Sequence, residues 1–227
     1  MNGVGLLLVY VSATLGGPPD EIAPSTATEP AIATEELAIT GEEASKDDAW
    51  SFSASLYGYV VDGDRDYLAL TLMADRDWLH LEGRFNYEDF DTGSLFIGYN
   101  FSVGETVTLD ATPMIGGIFG ETDGIAPGYE ITLGYKWLEL YTEGEFVFDL
   151  NSSDDDYFYS WSELTVSPAD WIYGGLAAQR TKVRDEDNEI QLGPMLGFAY
   201  KRVELSFYLF EPGNDDQTFA TAFTVNF

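Results

Sequence analysis

Apolar and polar side chains alternate along a train of about twelve segments, each about ten residues long, that fills residues 50–227. Segment 77–88 shows the pattern clearly. Its apolar positions are Leu79, Leu81, Gly83, Phe85 and Tyr87, and its polar positions are His80, Glu82, Arg84, Asn86 and Glu88. Successive side chains of a β-strand point to opposite faces, so a period of two predicts strands with one oily and one polar face.

The same alternation returns in segments 137–149, 202–210 and 218–227. One such segment fits a soluble β-sandwich as well as a barrel, because both have an apolar and a polar face. About twelve of them, each close to the length that crosses a bilayer, favour a barrel whose apolar face meets lipid and whose polar face meets an enclosed lumen.

The connections between segments fall into two classes that alternate along the chain. The short class comprises 74–76, 103–105, 136, 168–170 and 201–202, and the longer, acidic class comprises 62–66, 89–93, 121–128, 151–156, 184–188 and 211–216. This order is expected when strands run up and down and each class of turn lies at one rim. Outer-membrane barrels place short turns in the periplasm and longer loops outside, which predicts that both termini are periplasmic.

Aromatic side chains cluster beside the short connections. They are Trp78, Tyr135, Trp137, Trp171 and Tyr200. Amphipathic rings prefer the headgroup layer of a membrane, so these residues predict an aromatic girdle at one bilayer surface. Aromatics also flank turns in soluble β-proteins, but their placement at most of the short turns favours the girdle.

These alternating segments, together with the closing sequence TAFTVNF, resemble the bacterial outer-membrane β-barrel proteins of about twelve strands. The resemblance implies a Gram-negative outer-membrane location and an all-β fold, a closed antiparallel up-and-down transmembrane barrel with porin-like architecture. It also implies that Phe227, the C-terminal aromatic, is the signal read by the outer-membrane assembly machinery. The resemblance is one of architecture and carries no substrate with it.

The residues before the barrel have a different composition. Residues 1–13 contain a short apolar run and a small-residue motif at Val11-Ser12-Ala13, which predicts a signal peptide although no Lys or Arg precedes the run. Residues 14–49 are rich in Pro, Ala, Thr and Glu, which predicts a disordered periplasmic segment, with a plug inside the lumen as the alternative. The barrel is assigned to residues 50–227.

The formal net charge is −30, with 40 acidic and 10 basic residues. Acids dominate the long loops, where only Arg65 and Arg184 oppose them, so the outer rim is expected to repel anions and nucleic acid and to concentrate cations. Solubility alone is the competing explanation. Asp62, Asp64 and Asp66 have the spacing that opens a calcium loop, but Met73 occupies the position of its bidentate Glu, which leaves only loosely bound divalent cations as an expectation and no cofactor.

The polar face of the strands predicts the lining of a lumen. Its candidate pore-lining residues are His80, Glu82, Arg84, Asp110, Glu130, Glu139, Tyr141, Glu143, Glu145, Glu163 and Glu204. One guanidinium cannot pair this many carboxylates, so the interior is expected to hold water. We therefore expect a constricted, cation-preferring passage for ions or small neutral solutes, against the alternative of a closed lumen.

Two further functions compete with a channel. The chain has no cysteine and one histidine. His80 lies on the polar face of its strand, and no serine accompanies it on the lipid face, so an outer-membrane phospholipase or protease is not expected. Arg180 and Lys182 fall on the lipid-facing positions of their strand, and Arg184 follows in the loop. This placement predicts that they bind lipopolysaccharide phosphates. The alternative is a bulge at Gly174-Gly175 that turns them inward. The alternative hypothesis is thus a non-conducting barrel that binds cations, lipopolysaccharide or a partner.

Overall fold

The computed structural model describes residues 49–62, 65–183, 189–214 and 217–227, and these residues form one antiparallel sheet closed into a barrel. The expectations for 1–13, for 14–48 and for Asp64 and Arg184 lie outside the described residues. The strands are β1 (Ser51–Val61), β2 (Tyr67–Arg76), β3 (Leu79–Phe85), β4 (Gly93–Tyr99), β5 (Phe101–Val103), β6 (Thr108–Phe119), β7 (Gly124–Tyr135), β8 (Leu138–Asp149), β9 (Tyr157–Ala169), β10 (Ile172–Val183), β11 (Glu189–Tyr200), β12 (Val203–Phe210) and β13 (Thr218–Asn226).

The thirteen strands make twelve passes, which confirms the predicted fold class. β4 and β5 are two parts of one pass, because both pair with β6 in one continuous register that is interrupted only at Asn100. Each other strand pairs with its neighbours in sequence, and β13 pairs with β1 to close the ring. The backbone N–H of Phe227 donates to the carbonyl of Phe52 at 2.8 Å, so the last residue takes part in this closure.

The outer face of the barrel is apolar along the strands. Large side chains such as Leu56, Leu68, Leu95, Ile115 and Leu176 are 45 to 65% exposed. A continuous apolar surface of this extent would aggregate in water, whereas hydrocarbon covers it without cost. Across the described ranges, no helix is long and apolar enough to cross a membrane.

The tight turns gather at one end, called here the short-turn rim. Turns 77–78, 136–137 and 201–202 each begin with a residue in the left-handed region, Asp77 (φ 52°), Lys136 (φ 57°) and Lys201 (φ 59°). Two-residue hairpin turns require such a positive φ. The predicted girdle residues Trp78, Tyr135, Trp137, Trp171 and Tyr200 are all exposed beside this rim.

The structure differs from the predicted pattern at several turns and at one side chain. Residues 74–76 belong to β2, and the turn lies at 77–78, because Asp77 rather than Ala74 takes the left-handed conformation. The connection assigned to 121–128 is shorter, because β7 begins at Gly124. Tyr87, predicted on the lipid face, is 1% exposed and lies inside, because β3 ends at Phe85 and the alternation stops there.

Candidate functional site in the barrel lumen

The lumen face carries the polar side chains that the alternation predicted there. Buried positions are His80, Glu82, Arg84, Tyr141, Glu143, Glu145 and Glu163, and partly buried ones are Glu130, Glu139 and Glu204. Asp110 differs from them because it is exposed near the short-turn rim. Whether these residues line a conducting passage stays a prediction.

Arg84 is the centre of a buried group that we call the Arg84 cluster, which comprises Glu82, Arg84, Tyr87, Glu88, Glu143 and Glu145. The Nε and Nη2 atoms of Arg84 donate to the two carboxylate oxygens of Glu82 at 2.7 and 2.9 Å. Its Nη1 donates to Glu145 at 3.2 Å and lies 3.8 Å from a Glu88 oxygen. Because Glu145 lies on β8 and Arg84 on β3, their ion pair crosses the lumen. The bidentate hydrogen bonds to Glu82, which lies on the same strand as Arg84, hold the guanidinium at one wall.

Two aromatic rings hold the same guanidinium. The Arg84 Cζ atom lies 3.9 Å from the ring centroid of Tyr87 and 4.3 Å from that of Phe96. Contact with the negative faces of two rings adds to the attraction of the carboxylates and limits the rotamers of the arginine. The arrangement fixes a positive charge inside a wall that is otherwise acidic.

Tyr87 and Glu88 reach the lumen from the connection between β3 and β4, and the sequence pattern did not predict the Tyr87 position. Asn86 has a φ of 53°, which turns the chain inward after the strand. The Tyr87 hydroxyl then donates to Glu143, which also accepts from the Tyr141 hydroxyl at 3.2 Å. Asparagine is enriched in the left-handed region, so Asn86 was the one available signal for this break.

Glu88 lies outside the strands, yet it is 2% exposed. The Ser94 hydroxyl donates to it. Burial raises the pKa of Glu88 above its ordinary value, and the Arg84 guanidinium and the Ser94 hydroxyl oppose that rise. The sequence placed Glu88 on the polar face without assigning it to the lumen lining.

A second buried carboxylate has different partners, and we call this group the Glu163 cluster. The Trp161 Nε1–H and the Tyr208 hydroxyl donate to the same oxygen of Glu163 at 2.9 and 3.0 Å. All three side chains are at most 4% exposed. Within the described part of the chain, no ion pair involves Glu163, so neutral donors alone satisfy it.

His80 lies closer to the short-turn rim, in a chain of hydrogen bonds. Its Nδ1 lies 2.8 Å from an oxygen of Asp75, which also accepts from the Asn100 amide at 2.7 Å. The Thr112 hydroxyl donates in turn to the side-chain Oδ1 of Asn100 at 2.6 Å. Asp75 was missed from the sequence because it was assigned to a turn, where its side chain would have had no fixed direction.

The lumen is narrow at the level of the Arg84 cluster. The side chains that meet there leave almost no free volume between them, and they include Arg84, Tyr87, Met114, Glu143, Glu145 and Tyr159. Small residues give the large rings their space: a Cβ on Gly116 would lie 2.5 Å from the ring of Phe96, and one on Gly197 would lie 2.1 Å from that of Tyr173. The interior is therefore fitted closely around its aromatic and charged side chains.

The other candidate residues lie in a loop and on the outer face of the barrel. The Asp66 carboxylate accepts from the backbone N–H of Val61 at 3.3 Å, so it closes the loop that also contains Asp62. Arg180 lies on the outer face, with its Cζ atom 5.7 Å from the centroid of the Phe158 ring. Lys182, two residues further along the strand, belongs to the same face. The irregular register of β10 lies between Ile172 and Gly174 and leaves this parity unchanged.

Comparison with solved structures gives the same fold. The KdgM porin aligns with 77% of this chain and 99% of its own, at a TM-score of 0.53 and 9% identity. The outer membrane protein opdK from Pseudomonas aeruginosa aligns with 70% of this chain and 57% of its own (TM-score 0.43, 11% identity), and Omp33 of Acinetobacter baumannii with 78% and 98% (TM-score 0.44, 10% identity). No protein-family model and no curated protein sequence matches the chain. At this identity the likeness to the KdgM porin establishes the barrel fold alone.

Proposed function

We propose that this protein is a bacterial outer-membrane barrel that provides a narrow, cation-preferring passage for ions or small solutes. The observation that carries the proposal is a set of buried carboxylate oxygens without a hydrogen-bond partner from the protein, on Glu88, Glu130 and Glu145. Buried oxygens of this kind are costly unless water or a cation reaches them. A lumen that attracts water and cations along its wall is suited to cation passage.

The charge balance of the lumen supports the same direction of selectivity. Among the described residues, Arg84 is the one arginine or lysine on the lumen wall, and it is already bound to Glu82 and Glu145. The remaining carboxylates of the wall leave a negative potential that favours cations over anions. The fold likeness to a protein described as a porin agrees with a passive channel.

The Arg84 cluster sets the constriction in this proposal. Its side chains leave almost no free volume between them, so permeation requires Arg84 and Tyr87 to move apart from Glu145 and Glu143. Removing the Tyr87 ring opens the space that it fills against the guanidinium. Conductance through the unaltered protein is therefore expected to be small and to rise in Tyr87→Ala.

The expected location follows from the fold. The barrel would be inserted by the outer-membrane assembly machinery through Phe227, with both termini in the periplasm. Arg180 and Lys182, with Arg184 after them, would meet lipopolysaccharide phosphates at the outer rim, and the acidic loops would attract loosely held divalent cations. We propose no catalytic activity, because the Nε2 of His80 makes no hydrogen bond to a hydroxyl nucleophile in the described residues.

Planar-bilayer recording tests the channel. The refolded protein under a salt gradient should show a reversal potential of the sign that marks cation preference, and Glu143→Gln with Glu145→Gln should move it toward zero. Glu105→Gln, at an exposed position in a short turn, is the matched control and should leave it unchanged. Anion preference in the unaltered protein would contradict the proposal.

A second function is favoured by the same packing. The cross-lumen bonds and the fully buried Trp161, Tyr57 and Tyr59 suit a closed barrel that binds cations, lipid or a partner through its loops and outer surface. A folded protein that stays electrically silent, also as Tyr87→Ala, would support this role. In that case retention of lipopolysaccharide should fall when Arg180 and Lys182 are replaced by Gln.

A further inference from the structure

Three potential metal ligands meet in the lumen, and one of them is Glu82 of the Arg84 cluster. One ligand atom from each of His80, Glu82 and Glu130 lies within 4.8 Å of the other two. The Nε2 atom of His80 is 3.7 Å from an oxygen of Glu82. Donor atoms of a tetrahedral zinc site, with bonds of about 2.1 Å, lie about 3.4 Å apart, so small side-chain movements would complete the geometry.

Asp75 holds the His80 imidazole through the ring nitrogen opposite the one that would bind a metal. Asp75 lies 2.8 Å from Nδ1, and a carboxylate can only accept a hydrogen bond, so the proton of the neutral ring resides on Nδ1. Nε2 then keeps its lone pair. His80 is 2% exposed, and its Nε2 makes no hydrogen bond. A histidine held by a carboxylate through the nitrogen opposite the metal is a common feature of metal sites.

Glu130 supplies a second atom that lacks a partner. Its Oε1 is buried and makes no hydrogen bond with the protein. Glu130 lies on β7, three passes away from His80 on β3, and Gly98 on the intervening β4 has no side chain. A Cβ there would lie 3.2 Å from the His80 ring and 2.9 Å from Thr112, so the glycine lets these two side chains approach each other.

The local charge also favours a cation. Arg84 already bridges Glu82 and Glu145, which leaves Glu130 without a countercharge within hydrogen-bond distance. The oxygens of Glu82 each have a further lone pair beyond the one that Arg84 uses. An unpaired Glu130 carboxylate in a poorly hydrated interior is unfavourable, and a divalent ion between Glu82 and Glu130 would neutralise it.

We propose that His80, Glu82 and Glu130 bind one divalent transition-metal ion of the zinc class, with Asp75 as the residue that positions the imidazole. Imidazole with carboxylates suits zinc and its neighbours, whereas calcium and magnesium prefer oxygen ligands alone. The site is separate from Asp62 and Asp66 in the loop. It goes beyond the proposed channel, because binding requires no conduction.

The test uses the single histidine of the chain. Untagged, metal-stripped protein in detergent is titrated with Zn²⁺ while the ¹⁵N and ¹H signals of the imidazole are followed by NMR, and because the chain has one histidine and no cysteine those signals report His80 alone. One equivalent of Zn²⁺ should shift the Nε2 signal, and Ca²⁺ should not. An imidazole spectrum unchanged by Zn²⁺ would overturn the proposal, whatever Zn²⁺ binds elsewhere.

Calorimetry of variants identifies the ligands. Asp75→Asn should weaken Zn²⁺ binding by about 10- to 100-fold, and His80→Asn and Glu130→Gln by at least as much. Glu204→Gln is the control, because Glu204 is a partly buried lumen carboxylate that accepts from Asn226 and lies outside the group. Equal affinity in Glu130→Gln and in the unaltered protein would also overturn the site. Circular dichroism checks that each variant folds, and the NMR titration of the unaltered protein decides the question for any variant that does not.

Discussion

The Arg84 cluster and the Glu163 cluster bury carboxylates in the same lumen by two different means. Arg84 holds Glu82 and Glu145 with charged hydrogen bonds and places its guanidinium between two rings. Glu163 has only the Trp161 and Tyr208 donors, which are neutral. The difference teaches that one side of the lumen holds carboxylates with a cation, whereas the other holds a carboxylate with neutral donors alone.

The two arrangements should respond differently to the loss of one partner. An ion pair couples each member strongly to the other, because either charge alone is costly in a poorly hydrated interior. Two neutral donors on one oxygen act almost separately, and either can be lost while the other remains. The following predictions, from the largest expected effect to the smallest, are measured by urea unfolding of the barrel in lipid vesicles.

Arg84→Met should have the largest effect, a loss of about 3–5 kcal/mol in the free energy of unfolding. The substitution keeps much of the volume but leaves Glu82 and Glu145 buried without their cation. The double variant Arg84→Met with Glu82→Gln should recover part of the loss, since one of the stranded charges is then removed. A double variant no more stable than the single one would contradict the view that stranded charge is the cause.

Glu82→Gln and Glu163→Gln compare the clusters directly. We expect Glu82→Gln to cost about 3 kcal/mol because it removes the bidentate anion of Arg84. Glu163→Gln should cost only about 1 kcal/mol, because an amide oxygen still accepts from Trp161 and Tyr208. Equal losses in the two variants would remove the distinction between the clusters.

Glycine substitutions test the packing of each side. Gly116→Ala pushes Phe96 away from Arg84, and Gly197→Ala pushes against Tyr173, so each should cost about 1–3 kcal/mol through overpacking. Gly117→Ala is the control, because an added Cβ would meet nothing within 4 Å. If Gly117→Ala destabilised the barrel as much as Gly116→Ala, lumen packing would not explain the losses.

Removing single hydroxyls should give the smallest effects. Tyr87→Phe and Tyr208→Phe each take away one donor to a carboxylate that keeps a second donor, Tyr141 or Trp161, and each should cost about 1 kcal/mol. Tyr59→Phe is the control, because the buried Tyr59 hydroxyl makes no hydrogen bond, and it should be neutral or slightly stabilising. A loss in Tyr59→Phe similar to the other two would show that the bonds to carboxylate are not what the assay detects.

The alternation of side chains by itself determined the fold class, the number of passes and the face of nearly every strand residue. Period two is a local property of an extended chain, so neighbours in sequence suffice to assign the lipid face of Leu205 or the lumen face of Ser206. The same property determined the acidic wall of the lumen. It was wrong at Tyr87, where the left-handed Asn86 ended the strand and the alternation with it.

Only the tertiary structure decided which lumen residues meet. Arg84 and Glu145 are separated by 61 positions, and no local pattern fixes that they face each other across the bore. The closure and register of the twelve passes set those distances, and Gly98 and Gly116 set how closely the walls approach. The pairing of Asp75 with His80 likewise depended on the position of one tight turn, because a shift of one residue in a strand turns a side chain from the lumen to the lipid.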